Sequence, residues 1–310
     1  MSIVTVVALL CLLVSLKTIS FSVQFAILHH YHMDMIAVFA VLGLVLTATA
    51  AATVHIDITG GESVASDKVP SYIAMLTADL PSTGVACTGS LISPSYILTA
   101  AHCASTIQWA LLGAYNASGS DAKERIRLVK RTNHPKFEPI DLYYDFALYQ
   151  LATPSKLAPV AISWEEDSFN APGVIAWIRG YGQTNSQGAQ PTALQQAQVQ
   201  IWSNDDCSRA ENGRKVDRVS NICAGGSKQD TCNGDSGGPL TVMKNGQEQL
   251  IGVTSWGSLA CAVPGIPGVY ARISAAKSFI NSVIPRLECI VRPSLKFSPL
   301  SYALAEGCEG

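Results

Sequence analysis

Charge is scarce in this chain. Only 14% of its 310 residues are Asp, Glu, Lys or Arg, and they sum to −2, so nothing points to nucleic acid or an anionic surface as partner. From Ile58 onward a long apolar stretch with a 3.6-residue period is missing until near the end, which argues against a helical domain there. No internal repeat is visible. Histidine is also sparse: beyond His55 only His102 and His134 occur. What the chain has in quantity is apolar residues, at 48%, too many for a disordered chain, and it is too long for a small disulfide knot. Nine cysteines are many for a reduced cytosolic protein and point to an oxidising compartment.

The apolar excess lies at the front. Before Ile58 the charged residues are Lys17, Asp34 and Asp57. Residues 1–16 are apolar and uncharged, a mixed stretch follows with His29, His30 and His32, and a second uncharged run opens at Met35 and closes at Val54. That run ends in small residues, Thr47-Ala48-Thr49-Ala50-Ala51-Ala52, which suit signal-peptidase cleavage near Ala50 or Ala52 and hence secretion. A run of about 20 apolar residues equally suits a membrane tether. Met33 or Met35 is an alternative start, although no basic residue precedes the second run. The histidine group has no acid or thiol cluster to complete a metal site, and reads as a polar patch in a leader. Residues 1–57 are therefore expected to be a leader with a short propeptide, and 286–310 a weakly patterned extension.

From Ile58 onward the pattern is one of short apolar or alternating runs, at 72–76, 90–92, 96–100, 146–151, 174–178, 198–201 and 250–255, broken by Gly, Pro, Asn and Ser. Such spacing predicts an all-β barrel or sandwich. Residues 154–172, with three prolines and the cluster Glu165-Glu166-Asp167, read as a surface connection between two β units. Residues 274–284 place Ala275, Ala276, Phe279, Ile280, Val283 and Ile284 at helical spacing, stopped by Pro285.

Gly234-Asp235-Ser236-Gly237-Gly238-Pro239 is the most informative hexapeptide. Glycines around a serine allow a sharp turn that exposes the hydroxyl and bares amide N–H groups toward an oxyanion. The segment also fits G-x-S-x-G of the α/β-hydrolases, but those place their histidine after the serine, and here none follows His134. A serine hydroxyl needs an adjacent base. His102, in Thr99-Ala100-Ala101-His102-Cys103, ends an apolar run and precedes a cysteine able to clamp it; His134, before Pro135 and Lys136, reads as a surface turn. The base needs a carboxylate to fix its tautomer. Asp145 leads into the apolar Phe146-Ala147-Leu148, and Asp141 is its rival.

With those residues in the order His, Asp, Ser, the chain from Ile58 to Ile284 resembles the trypsin/chymotrypsin-like serine proteases. The resemblance implies two antiparallel six-stranded β-barrels (about 58–155 and 171–273), a crevice between them, and a short C-terminal helix near 274–284. His102, Asp145 and Ser236 would be the catalytic residues, and the amides of Gly234 and Ser236 the oxyanion hole. Ser255-Trp256-Gly257 resembles the edge that pairs with substrate backbone, with Ser255 near Asp145. Asp230, six residues before Ser236, would floor the specificity pocket, with Gly257 and Gly268 as open walls. A buried carboxylate there is costly unless a cation enters, so it selects Arg or Lys. Resemblance also pairs Cys87 with Cys103, Cys207 with Cys223, and Cys232 with Cys261. Without Cys11 of the leader this leaves Cys289 and Cys308 for a fourth bridge. Ala176 and Val242 stand where an optional bridge is missing.

Two features depart from the family pattern. Family members are freed by cleavage before an Ile-Val-Gly-Gly-like start, whose amine pairs with the acid beside the nucleophile, here Asp235. This chain reads Ile58-Thr59-Gly60-Gly61, but Asp57, not Arg or Lys, precedes it. Ala114 takes the first acidic position of the family's calcium loop, leaving Asp121 and Glu124, too few oxygen ligands for tight binding. Asn116-Ala117-Ser118 is a glycosylation sequon. The expectation is a secreted, monomeric endopeptidase acting on protein or peptide substrates after Arg or Lys. It would be open to proteinaceous inhibitors and need neither cofactor nor metal. The alternative is a catalytically silent binding module held zymogen-like by Asp57.

Overall fold

The strands form where alternating or wholly apolar runs have a core to face. The computed structural model describes residues 58–284 apart from positions 83, 104, 186, 189, 212, 213 and 259. In chain order come β1 (Glu62–Ser63), β2 (Ile73–Thr77), β3 (Cys87–Ser93), β4 (Tyr96–Thr99), β5 (Trp109–Leu112), β6 (Glu124–Asn133) and β7 (Ala147–Leu151). β8 (Ala161–Ile162), β9 (Ile175–Gly180) and β10 (Gln195–Trp202) precede helix α1 (Asn204–Ala210). β11 (Asn221–Gly225), β12 (Pro239–Lys244), β13 (Gln247–Trp256), β14 (Pro267–Arg272) and helix α2 (Lys277–Val283) complete the set. β10 shows the rule: Ala197, Val199 and Ile201 are buried, while Gln198 and Gln200 between them face solvent, a strict period of two.

β2 to β7 close into a six-stranded antiparallel barrel in the order β2-β3-β4-β7-β6-β5. The second barrel runs β10-β11-β14-β13-β12-β9 and closes by the pairing of β9 with β10. Two strands decorate it. β8, within the connection between barrels, runs parallel to β13, and β1 pairs with β10 although it precedes the first barrel in the chain. Ile58 accounts for that crossing, because it is fully buried in the second barrel's core beside Ala176, Ile178 and Val199.

The chain then returns to the first barrel. A short 3₁₀ turn, Ile273–Ala276, leads into α2, whose Phe279 and Ile280 join the first barrel's apolar cluster together with Ile284. α1 is opened by Ser203, whose hydroxyl accepts from the Asp206 amide at 3.1 Å, a helix cap. Three disulfides, Cys87–Cys103, Cys207–Cys223 and Cys232–Cys261, are those the resemblance implied. The Cys289–Cys308 bridge, the leader with its alternative membrane span, and the C-terminal extension lie outside the described residues. No described helix is long and apolar enough to cross a membrane.

Candidate active site

His102 and Asp145 come from two loops of the first barrel. β4 ends at Thr99, and the turn after it carries His102 and then Cys103, bonded to Cys87 on β3. Asp145 sits two residues before β7 and is fully buried. Three donors converge on its carboxylate. The His102 amide donates to Oδ1 at 2.8 Å, His102 Nδ1 lies 2.7 Å from Oδ2, and Ser255 Oγ donates to Oδ2 at 2.6 Å. A carboxylate on Nδ1 places the ring proton there and leaves Nε2 free to accept another. The imidazole is 25% exposed, so this free edge remains accessible.

The Ser236 turn belongs to the second barrel but is pinned to the first. Thr88 on β3 donates its amide to Ser236 O at 2.8 Å and its hydroxyl to Gly234 O at 3.2 Å. Gly237 has φ of 79°, and a Cβ there would lie 1.9 Å from Thr99 Oγ1, so only glycine fits this close approach to the strand that leads to His102. The amides of Gly234 and Ser236 donate to no acceptor among the described residues, as an oxyanion site requires. No hydrogen bond joins Ser236 Oγ to His102 among the described residues; in unliganded sites such bonds are commonly long and tighten on binding.

Asp230 and Asp235 flank this turn on the side of the second barrel. Asp230 is 3% exposed, and burial pushes its carboxyl up to about 7 against the partial relief of hydrogen bonds from Thr231. Gly268 faces it: a Cβ there would come within 2.7 Å of Asp230 Oδ1, so any larger residue would close over the carboxylate. Gly257 lies next to Gly268, its own Cβ position 3.6 Å from the Gly268 Cα. Asp235 is fully buried, and burial pushes it up to about 6, offset by the amides of Cys232 and Gly182, each at 2.9 Å. Asp230 N donates to Thr59 O at 3.2 Å, tying Asp230 to the segment after Ile58. Ile58 itself has φ of 34°, which a β-branched residue adopts only under strain.

Past Thr254 β13 has no further pairing with β12 among the described residues, and Ser255 lies there with its hydroxyl on Asp145. The Arg214 guanidinium covers the Trp256 ring, 3.6 Å from its centroid, a contact the sequence did not signal. Thr88 was likewise not foreseen, since its role depends on strand placement alone.

His134 corrects an expectation. It is 5% exposed rather than on the surface, stacked on Tyr144 at 4.9 Å and met edge-on by Phe279 at 4.9 Å. Burial pushes it down to about 4, with Lys136 adding to the effect. It therefore packs behind the Asp145 loop, while no described hydrogen bond joins Asp141 to either histidine. Asp121 accepts from the amides of Tyr115 and Asn116, and Glu124 from Ser155 and Lys156, so both acids of the 113–125 loop are engaged within the protein. Asn116 of the sequon is half-buried. One cluster of metal-ligating types, Cys87, His102 and Cys103, has both sulfurs spent in a disulfide.

The family model described as Trypsin matches residues 58–280. Glucanase inhibitor protein 1 of Phytophthora infestans is 38% identical over 205 residues, 64% of this chain and 77% of that protein. Trypsin of Saccharopolyspora erythraea is 36% identical over 223 residues, 70% of this chain and 94% of that protein. Serine protease 56 of Mus musculus is 35% identical over 239 residues, covering 73% of this chain but 38% of its own. With a family match over most of the chain and two closed barrels carrying these residues at their junction, this chain belongs to the trypsin family.

Proposed function

We propose that this chain, once its terminus is freed at Ile58, is a secreted endopeptidase that hydrolyses peptide bonds after Arg or Lys. Ser236 Oγ attacks the carbonyl carbon, His102 Nε2 takes the hydroxyl proton, and the amides of Gly234 and Ser236 hold the oxyanion. His102 then gives that proton to the leaving amine, and water hydrolyses the acyl-enzyme with His102 again as base. Asp145 orients the imidazole, Asp230 receives the substrate cation, and the Ser255–Trp256 edge takes the substrate backbone. The new amine at Ile58 would pair with Asp235, whose buried carboxyl has only backbone donors among the described residues, and the cut would relieve the Ile58 dihedral.

The observation that carries this reading is the three-donor carboxylate of Asp145, with His102 and Ser255 both on it. It is tested by hydrolysis of a small Arg-amide substrate by the chain beginning at Ile58. Ser236→Ala should lower the rate by roughly three to six orders of magnitude. Equal turnover in that variant would refute the assignment.

A second reading has its own support. Several relatives are named glucanase inhibitor proteins, and Asp57 is a poor site for tryptic activation. On that reading the chain is a protein-binding module that uses the crevice without turnover. Sequencing the amino terminus of the natural protein separates the two: Ile58 favours the enzyme. An upstream terminus, with capture of a purified glucanase and no Arg-amide turnover, favours the binder. Three disulfides suit either form outside the reducing cytosol.

A further inference from the structure

The peptide unit between Ala101 and His102 is gripped at both polar ends. Its N–H, on His102, donates to Asp145 Oδ1 at 2.8 Å. Its carbonyl, on Ala101, accepts from the guanidinium of Arg131. The sequence gives no hint of this link, because Arg131 lies 30 residues from Ala101. The register of β6 against β7 shifts between Leu128 and Lys130, and an irregularity of that kind re-aims the residues beyond it. There Arg131 pairs across with Tyr149, its guanidinium lies 5.6 Å from the Tyr149 ring centroid, and Nε donates to Asn133 Oδ1 at 2.9 Å. Arg131 forms no salt bridge with a carboxylate among the described residues, so no counter-ion competes with the Ala101 carbonyl for its charge.

We propose that Arg131 is a positioning residue that acts on His102 and Asp145 through the Ala101–His102 peptide. A cation on a carbonyl oxygen draws electron density through the amide and makes its N–H a stronger donor, so the chain Arg131 to carbonyl to N–H to Asp145 reinforces itself. Holding the peptide plane at both ends also fixes the backbone from which the imidazole projects. The Cys87–Cys103 disulfide holds the following residue. Arg131 touches neither substrate nor reacting atoms. The inference rests on His102 and Asp145 acting as proposed above.

The test compares Arg131→Met, which keeps the stem and removes the charge, with Arg131→Lys, which keeps the charge. In the full chain, Arg131→Met should speed amide hydrogen exchange at His102 and shift or broaden the low-field proton resonance of its Nδ1–H. After release of the terminus at Ile58, kcat on an Arg-amide substrate should fall about 10- to 100-fold with KM little changed, and Arg131→Lys should restore most of it. Should the Met variant unfold, Arg131→Gln replaces it with the same readings. The proposal is overturned if the His102 amide and its Nδ1 proton signal match wild type in Arg131→Met or its Gln replacement. It is equally overturned if exchange rises across the whole first barrel and activity only follows the folded fraction. Both spectroscopic readings require no turnover, so an inactive wild-type chain would count against the proposed function and not against this link.

Discussion

On the first barrel, Asp145 receives the His102 ring, the His102 amide and the Ser255 hydroxyl. On the second, Asp230 and Asp235 are buried nearly as deeply, yet their hydrogen bonds come from backbone amides and one threonine, and no described cation pairs with either. Burial pushes Asp230 up to about 7 and Asp235 up to about 6. A buried carboxylate without a cation is expensive to ionise. The carboxylate on the first barrel thus has its donors within the fold, whereas the two buried acids on the second would each need a positive charge that no described residue supplies. On the proposed function one is the amine freed at Ile58 and the other is the substrate's Arg or Lys.

The largest effect expected from breaking this contrast is at Asp230. Asp230→Ser in the chain beginning at Ile58 should lower kcat/KM for an Arg-amide substrate by about a hundred- to ten-thousandfold, because a desolvated cation is left without its partner. Substrates with an apolar side chain at that position should lose little, and steady-state kinetics on matched substrates measures the ratio. A smaller effect is expected on the first barrel, where Ser255→Ala removes one donor of three. A loss of roughly 1–2 kcal/mol, about tenfold or somewhat more in kcat, should follow, with the His102 contacts retained. A Ser255→Ala loss as large as that of Asp230→Ser would erase the distinction between a self-sufficient carboxylate and a waiting one.

Much of this arrangement was legible in the sequence because it is written locally. The Gln-Ala-Gln-Val-Gln-Ile alternation of β10 dictates a strand with one buried face, and the six residues around Ser236 dictate a sharp turn with bare amides. The three disulfide pairs came from resemblance. His134 was misread because the local signal, a His-Pro-Lys turn, says surface, while Tyr144 and Phe279 cover it from a later loop and from α2. β1 was illegible for a similar reason: two residues carry no period, and their pairing with β10 follows from where Ile58 is buried. Thr88, Arg131 and Arg214 act through strand neighbours or loops distant in the chain, so their contacts appear only once both barrels are closed.

On the proposed function the buried Asp230 carboxyl becomes a negative charge when a cation pairs with it. Burial pushes the Asp230 carboxyl up to about 7, and a cation binds its ionised form, so on the proposed function affinity falls as pH falls through that value. The most direct measurement is calorimetric titration of an aryl amidine into the Ser236→Ala chain beginning at Ile58, across pH 5.5 to 8.5. Binding should weaken by about tenfold per pH unit below about 7, with proton release on binding there, and level off above it. Binding that ignores pH, or persists undiminished in Asp230→Ser, would contradict this expectation.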